Sequence, residues 1–144
     1  MSIQTPQANL SGPALIPNEE PGREGLANLT GALLTRGTTR HTGPEIDAAI
    51  EFVGGSLGAS AGRDALSASL AVLKKDLTLG LDLLREVLLE PTFAEAEFKR
   101  KVAEIQAAIK RLDESPDAVA GRALARFVYP GHPYSLPLEG YPET

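Results

Sequence analysis

Apolar positions along the chain fall into two rhythms, one helical and one alternating. In "GLANLTGALLTRGT", residues 25–38, Leu26, Leu29 and Leu33 recur at helical spacing and Gly37 reads as the stop. In "TGPEIDAAIEFVGG", Ile46, Ala49, Ile50 and Val53 sit at i, i+3, i+4 and i+7, a single buried stripe. Pro44 suits the first turn of that helix, Glu45 and Asp47 complement its N-terminal dipole, and Gly54-Gly55 closes it. The rhythm then changes. Leu66, Ala68, Leu70 and Val72 alternate with Ser67, Ser69 and Ala71, which predicts an antiparallel hairpin of Ser56–Ala61 and Ala65–Leu73 around the turn "GRD". A leucine-rich helix follows from about Leu77 to Leu89, with Leu77, Leu81, Leu84 and Leu88 on one side and Pro91 beyond its end. In "AEAEFKRKVAEIQAAIKRLDESP", Phe98, Val102, Ile105, Ile109 and Leu112 form a core-facing stripe, too short for a coiled coil. A last helix, about Asp117 to Val128, leads into the turn-rich "YPGHPYSLPLEGYP". Strands followed by a run of helices imply an α+β layered fold, an antiparallel sheet with helices packed on it.

Composition narrows the function classes. A net charge of −5 disfavours non-specific binding to nucleic acid or to an anionic membrane. No local basic patch offsets it: residues 1–64 carry 4 basic and 7 acidic groups, and residues 95–126 carry 7 and 6. Aromatic residues, at 5%, are too sparse for a single-strand stacking surface. The absence of cysteine excludes disulfides, thiolate zinc sites and Cys nucleophiles. No run approaches the roughly 20 apolar residues of a membrane helix. Residues 1–12, with neither a basic n-region nor an apolar core, read as a flexible lead-in and not a signal peptide; the compartment stays unknown. The ending, "LPLEGYPET", has turn residues and no closing element, as in a piece of a longer protein.

Candidate chemistry is thin. The two histidines, His41 and His132, stand far apart in loop contexts and read as turn or surface residues. The serines of "SLGASAGRDALSAS" lack a nucleophile elbow, and their alternation marks the solvated face of a strand. "GGSLGASAG" lacks the Lys-Ser/Thr ending of a phosphate loop. The acids Asp113 and Glu114 sit at a helix end, where solvation explains them.

The order of the pieces says more. "GLANL…GT", a helix ending in "VGG", a small-residue hairpin, a Leu helix closing on "EPTF", a charged helix running into "DESP", and "HPYSLPLEG" together resemble the pitrilysin or insulinase-type metallopeptidases, which include the mitochondrial processing peptidases. The resemblance covers residues 13–144, read as part of an N-terminal lobe of the processing-peptidase (LuxS/MPP-like) type. In active members the opening helix carries H-x-x-E-H, whose two His bind zinc and whose Glu activates a zinc-bound water. The resemblance places the His positions at Asn28 and Ala32, the Glu at Gly31, the third ligand at Ala108 and a further family Glu at Lys101. It therefore implies a zincless lobe with no cofactor and no activity by itself.

The same resemblance implies a role. Members of the family close paired lobes around an unfolded peptide, and many pair an active half with a zincless one. This chain is expected to partner a homologous lobe or subunit with intact H-x-x-E-H and to contribute to a peptide-binding chamber. Its candidate peptide edge is Gly58, Ala59 and Ser60, where active members usually have Asn-Ala in place of Gly58-Ala59. The alternatives are a purely structural dimerisation lobe and a hydrolase with a site relocated to His132.

Overall fold

The computed structural model describes residues 7–11 and 19–144. Three strands, β1 (Gln7–Ser11), β2 (Ser56–Ala61) and β3 (Leu66–Ala71), form an antiparallel sheet in the order β1-β3-β2. Among the described residues five α-helices accompany it: α1 (Leu26–Leu33), α2 (Gly43–Phe52), α3 (Leu77–Leu89), α4 (Glu95–Asp113) and α5 (Pro116–Val128). The α+β architecture is the one expected. The hairpin forms with Ser56 opposite Ala71 and Ala61 opposite Leu66. Within residues 1–12, expected as a flexible lead-in, Gln7–Ser11 instead pair along β3, with Gln7 opposite Ala71. The expected boundary at residue 13 lies outside the described residues.

Alternation explains the sheet's buried face. Ala68, Leu70 and Val72 are buried while Ser67 and Ser69 face solvent, so one side of β3 meets the helices. Ile46 and Ile50 of α2, and Leu83, Leu84 and Val87 of α3, complete one core with them. α2 ends as its sequence requires. The Gly55 N–H donates to the Ile50 carbonyl and the Gly54 N–H to Glu51, a Schellman closure with Gly54 at φ 65°.

Two expectations need correction. α1 ends at Leu33, before the expected stop at Gly37. Gly37 instead bridges Thr42, and its carbonyl accepts from Thr92. The chain there is drawn into a loop and not a helical turn. The buried stripe of α3 is also rotated: Gly80, Leu83, Leu84 and Val87 point inward, and Leu81 is 46% exposed. Gly80 fits this face, because a Cβ there would lie 3.1 Å from methyl carbons of Leu70 and Val72.

Candidate functional site

α1 is held at its start by groups from elsewhere in the chain. Gly25, at φ 95°, offers no capping side chain, and the Glu19 carboxylate accepts instead from the N–H groups of Gly25 (3.2 Å) and Ala27 (2.7 Å). The Glu24 carbonyl accepts from the Thr144 hydroxyl at 2.8 Å. A Cβ on Gly25 would lie 2.5 Å from the Glu139 carbonyl oxygen, so only glycine lets the "LEG" segment pass. Leu26 and Leu29 then face Phe98, Val102, Ile105 and Ile109 of α4 across a cleft of about 490 Å³.

The opposite side of α1 meets the sheet at Gly31. A Cβ built there would lie 2.7 Å from the Ala61 nitrogen and 3.0 Å from the Ser60 carbonyl carbon. Asn28 and Ala32, one turn apart and both half-buried, lie between this contact and the Leu29 row that meets α4. Ala108 is half-buried beside Ile109 on α4, and neither it, Asn28 nor Ala32 lines the cleft. The Lys101 ammonium pairs with Glu104 at 2.6 Å.

These residues do not fit zinc. The four positions that the resemblance equates with ligands and base present an amide, a hydrogen and two methyl groups, none a competent donor set for the metal. Among the described residues no three His, Cys, Asp or Glu side chains cluster as a metal site. The space a carboxylate at position 31 would start from is occupied by β2 backbone.

Gly58, Ala59 and Ser60 lie on β2, an outer strand of the described sheet. The Gly62 N–H donates to the Ala65 carbonyl at 2.8 Å, which fixes the phase of the ladder. By antiparallel alternation, Gly58 and Ser60 direct their backbone groups toward β3, and Leu57, Ala59 and Ala61 direct theirs outward. Of the three candidate edge residues, Ala59 alone presents its N–H and C=O on the open side.

The two histidines have structural partners. His41 Nδ1 lies 2.8 Å from Glu86 Oε2, and Arg40 Nη2 lies 2.6 Å from Glu86 Oε1. The Thr38 hydroxyl donates to the same carboxylate at 3.0 Å. Burial of Glu86 acts to raise its pKa, but hydrogen bonds from His41 and Thr38, and the charges of His41 and Arg40, hold it below the ordinary carboxylate value. Sequence reasoning missed this cluster. Its signal was an acid at position 86 between the apolar Leu84 and Val87, with Arg40-His41 in the loop after α1.

His132, the proposed relocated site, caps a turn: its Nδ1 accepts from the Tyr134 N–H at 3.1 Å. Tyr134 bonds through its hydroxyl to Asp64, which raises the phenol's pKa, burial adding to the effect. The Arg63 guanidinium donates to the carbonyls of Tyr134 (2.9 Å) and Leu136 (3.1 Å). The "HPYSLP" segment is thereby clamped to the tip of the β2–β3 hairpin.

Known proteins share this fold. The family model described as Insulinase (Peptidase family M16) matches residues 17–141. An uncharacterized zinc protease of Bacillus subtilis, YmxG, is 24% identical over 127 residues, 88% of this chain and 31% of that protein. An uncharacterized zinc protease of Mycobacterium leprae is 30% identical over 122 residues, covering 83% and 27% respectively. Among solved structures, a peptidase M16 inactive domain from Pseudomonas fluorescens superposes with a TM-score of 0.87 at 26% identity, over 94% of this chain and 33% of its own. A protease from Helicobacter pylori, at 21% identity and a TM-score of 0.86, shares the fold. The chain spans about a third of the length of these relatives. With the family model covering most of its residues, the chain belongs to the insulinase family of peptidases, family M16.

Proposed function

We propose that this chain is a zincless M16 lobe that holds an extended peptide along β2 while a homologous lobe or subunit with intact H-x-x-E-H supplies the chemistry. The observation that carries the reading is the edge of β2 that no strand pairs among the described residues, with the outward groups of Leu57, Ala59 and Ala61 beside the helix whose motif positions lack every zinc donor. An extended peptide adds to such an edge through main-chain hydrogen bonds, with little demand on its sequence. The neighbour from Pseudomonas fluorescens, itself described as inactive, supports a non-catalytic role. A lobe that only pairs is the second reading. It is favoured by the apolar side chains that α5 leaves in solvent, Leu124 at 62% and Phe127 at 84% exposure.

Proline at position 59 separates the two readings. Ala59→Pro removes an outward N–H and leaves the ladder to β3 intact, as proline on an edge strand can. Fluorescence anisotropy with a labelled unfolded peptide should show binding by the wild type, and a loss of at least about tenfold in Ala59→Pro, the scale of one to two main-chain hydrogen bonds. No binding by the wild type, with retained capture of an H-x-x-E-H homologue, would leave the purely structural lobe.

A further inference from the structure

Gly31 is more than a lost catalytic residue. A glycine in the middle of a helix ordinarily weakens it relative to alanine, and α1 retains one where it packs on the backbone of β2. The atoms a Cβ would meet there, the Ala61 nitrogen at 2.7 Å, the Ser60 carbonyl carbon at 3.0 Å and the Ser60 Cα at 3.2 Å, are all backbone. No side-chain rotation relieves such an overlap. Relief requires α1 or β2 to move.

Neither has room. β2 is held on its inner side by β3 along its whole length. α1 is tied at its start by Glu19 and by the passing Glu139–Gly140 backbone, and is buried at its end through Leu33 and Leu34, 3% and 5% exposed. Gly121 of α5 is the opposite case, since a Cβ there would meet nothing within 4 Å.

We infer that the general-base position of this lobe is closed, not merely vacated: α1 sits on β2 through Gly31, so that restoring the base there together with the ligands does not restore a zinc site. The contact also braces the strand proposed to bind peptide, with Gly31 as a positioning residue for β2. The inference rests on the equivalence of Gly31 with the family's base position, and its stability readout is independent of peptide binding.

The test compares two glycines and then a reverted site. Calorimetric melting of Gly31→Ala should show a drop in Tm of at least about 3 °C, whereas Gly121→Ala should show a rise of about 2 °C. A triple variant, Asn28→His, Ala32→His and Ala108→Glu, is then compared with the same variant carrying Gly31→Glu. The fourth substitution should lower Tm further and yield no stoichiometric zinc by titration calorimetry. Failure of Gly31→Ala to accumulate folded while Gly121→Ala does so is the same result in stronger form. A Gly31→Ala variant as stable as Gly121→Ala would overturn the inference, as would a quadruple variant that melts with the triple and holds one zinc per chain. Absence of peptide binding with a destabilised Gly31→Ala would reject the peptide reading and keep the closure.

Discussion

The half of the molecule built from α2, β3 and α3 buries its apolar side chains in one core, while the half built from α4 and α5 leaves most of its own in solvent. Ile46, Ile50, Leu70, Val72, Leu83 and Val87 are all at most 6% exposed and pack in one cluster. On α4 and α5 only Ile109 is buried, and Phe98, Leu124 and Phe127 lie 42%, 62% and 84% exposed. Both halves carry amphipathic helices of the same quality to the eye. The difference is the partner: a sheet stands opposite the first pair, whereas α1 and the C-terminal segment stand opposite the second. Spacing tells which face of a helix is apolar, and contact decides whether that face leaves water.

Substitutions make the contrast measurable by urea denaturation. The largest loss is expected on the buried side, where Leu83→Ala should cost about 4 kcal/mol through lost transfer energy and an unfilled cavity. Glu86→Ala should cost about 3 kcal/mol. It strands Arg40 and His41, but both are partly exposed and regain water, which keeps the loss at the low end for a broken buried pair. On the open side, Leu124→Ala should fall within about 0.5 kcal/mol of the wild type. A loss at Leu124 equal to that at Leu83 would show that α5 is covered in solution.

Acid should act on the same contrast. Glu86 has a folded pKa below its ordinary value of 4.5, so its contribution is present above that pH and is lost as the pH falls through the lower folded value. Urea midpoints of the wild type and Glu86→Gln should therefore differ at neutral pH and converge as the pH falls through the lowered folded value. A constant gap down to strong acid would mean that the carboxylate contributes by shape and not by charge.

The hairpin was legible because period-two alternation with Ser67 and Ser69 outside has no helical counterpart. The α2 stripe and its Gly54-Gly55 stop were legible because spacing and closure are local. β1 was not, since its pairing partner lies some sixty residues away, and "QANLS" has neither β-branched nor aromatic residues to announce a strand. The rotation of α3 was hidden in Gly80: counting leucines ignores a position whose missing side chain leaves room for the sheet. Asn28, Gly31, Ala32 and Ala108, which the resemblance equates with the motif, were readable as an amide, a hydrogen and two methyl groups. That Gly31 rests on the backbone of Ser60 and Ala61 was not, because helix–strand distance is a property of the packed fold.

The central claim is that this lobe is no zinc centre, and metal titration tests it most directly. The purified chain, stripped of metal and reconstituted with zinc, is assayed by elemental analysis and titration calorimetry. The account predicts no stoichiometric zinc at micromolar metal. One tightly held zinc per chain would contradict it, and would move the chemistry from a partner lobe to this one.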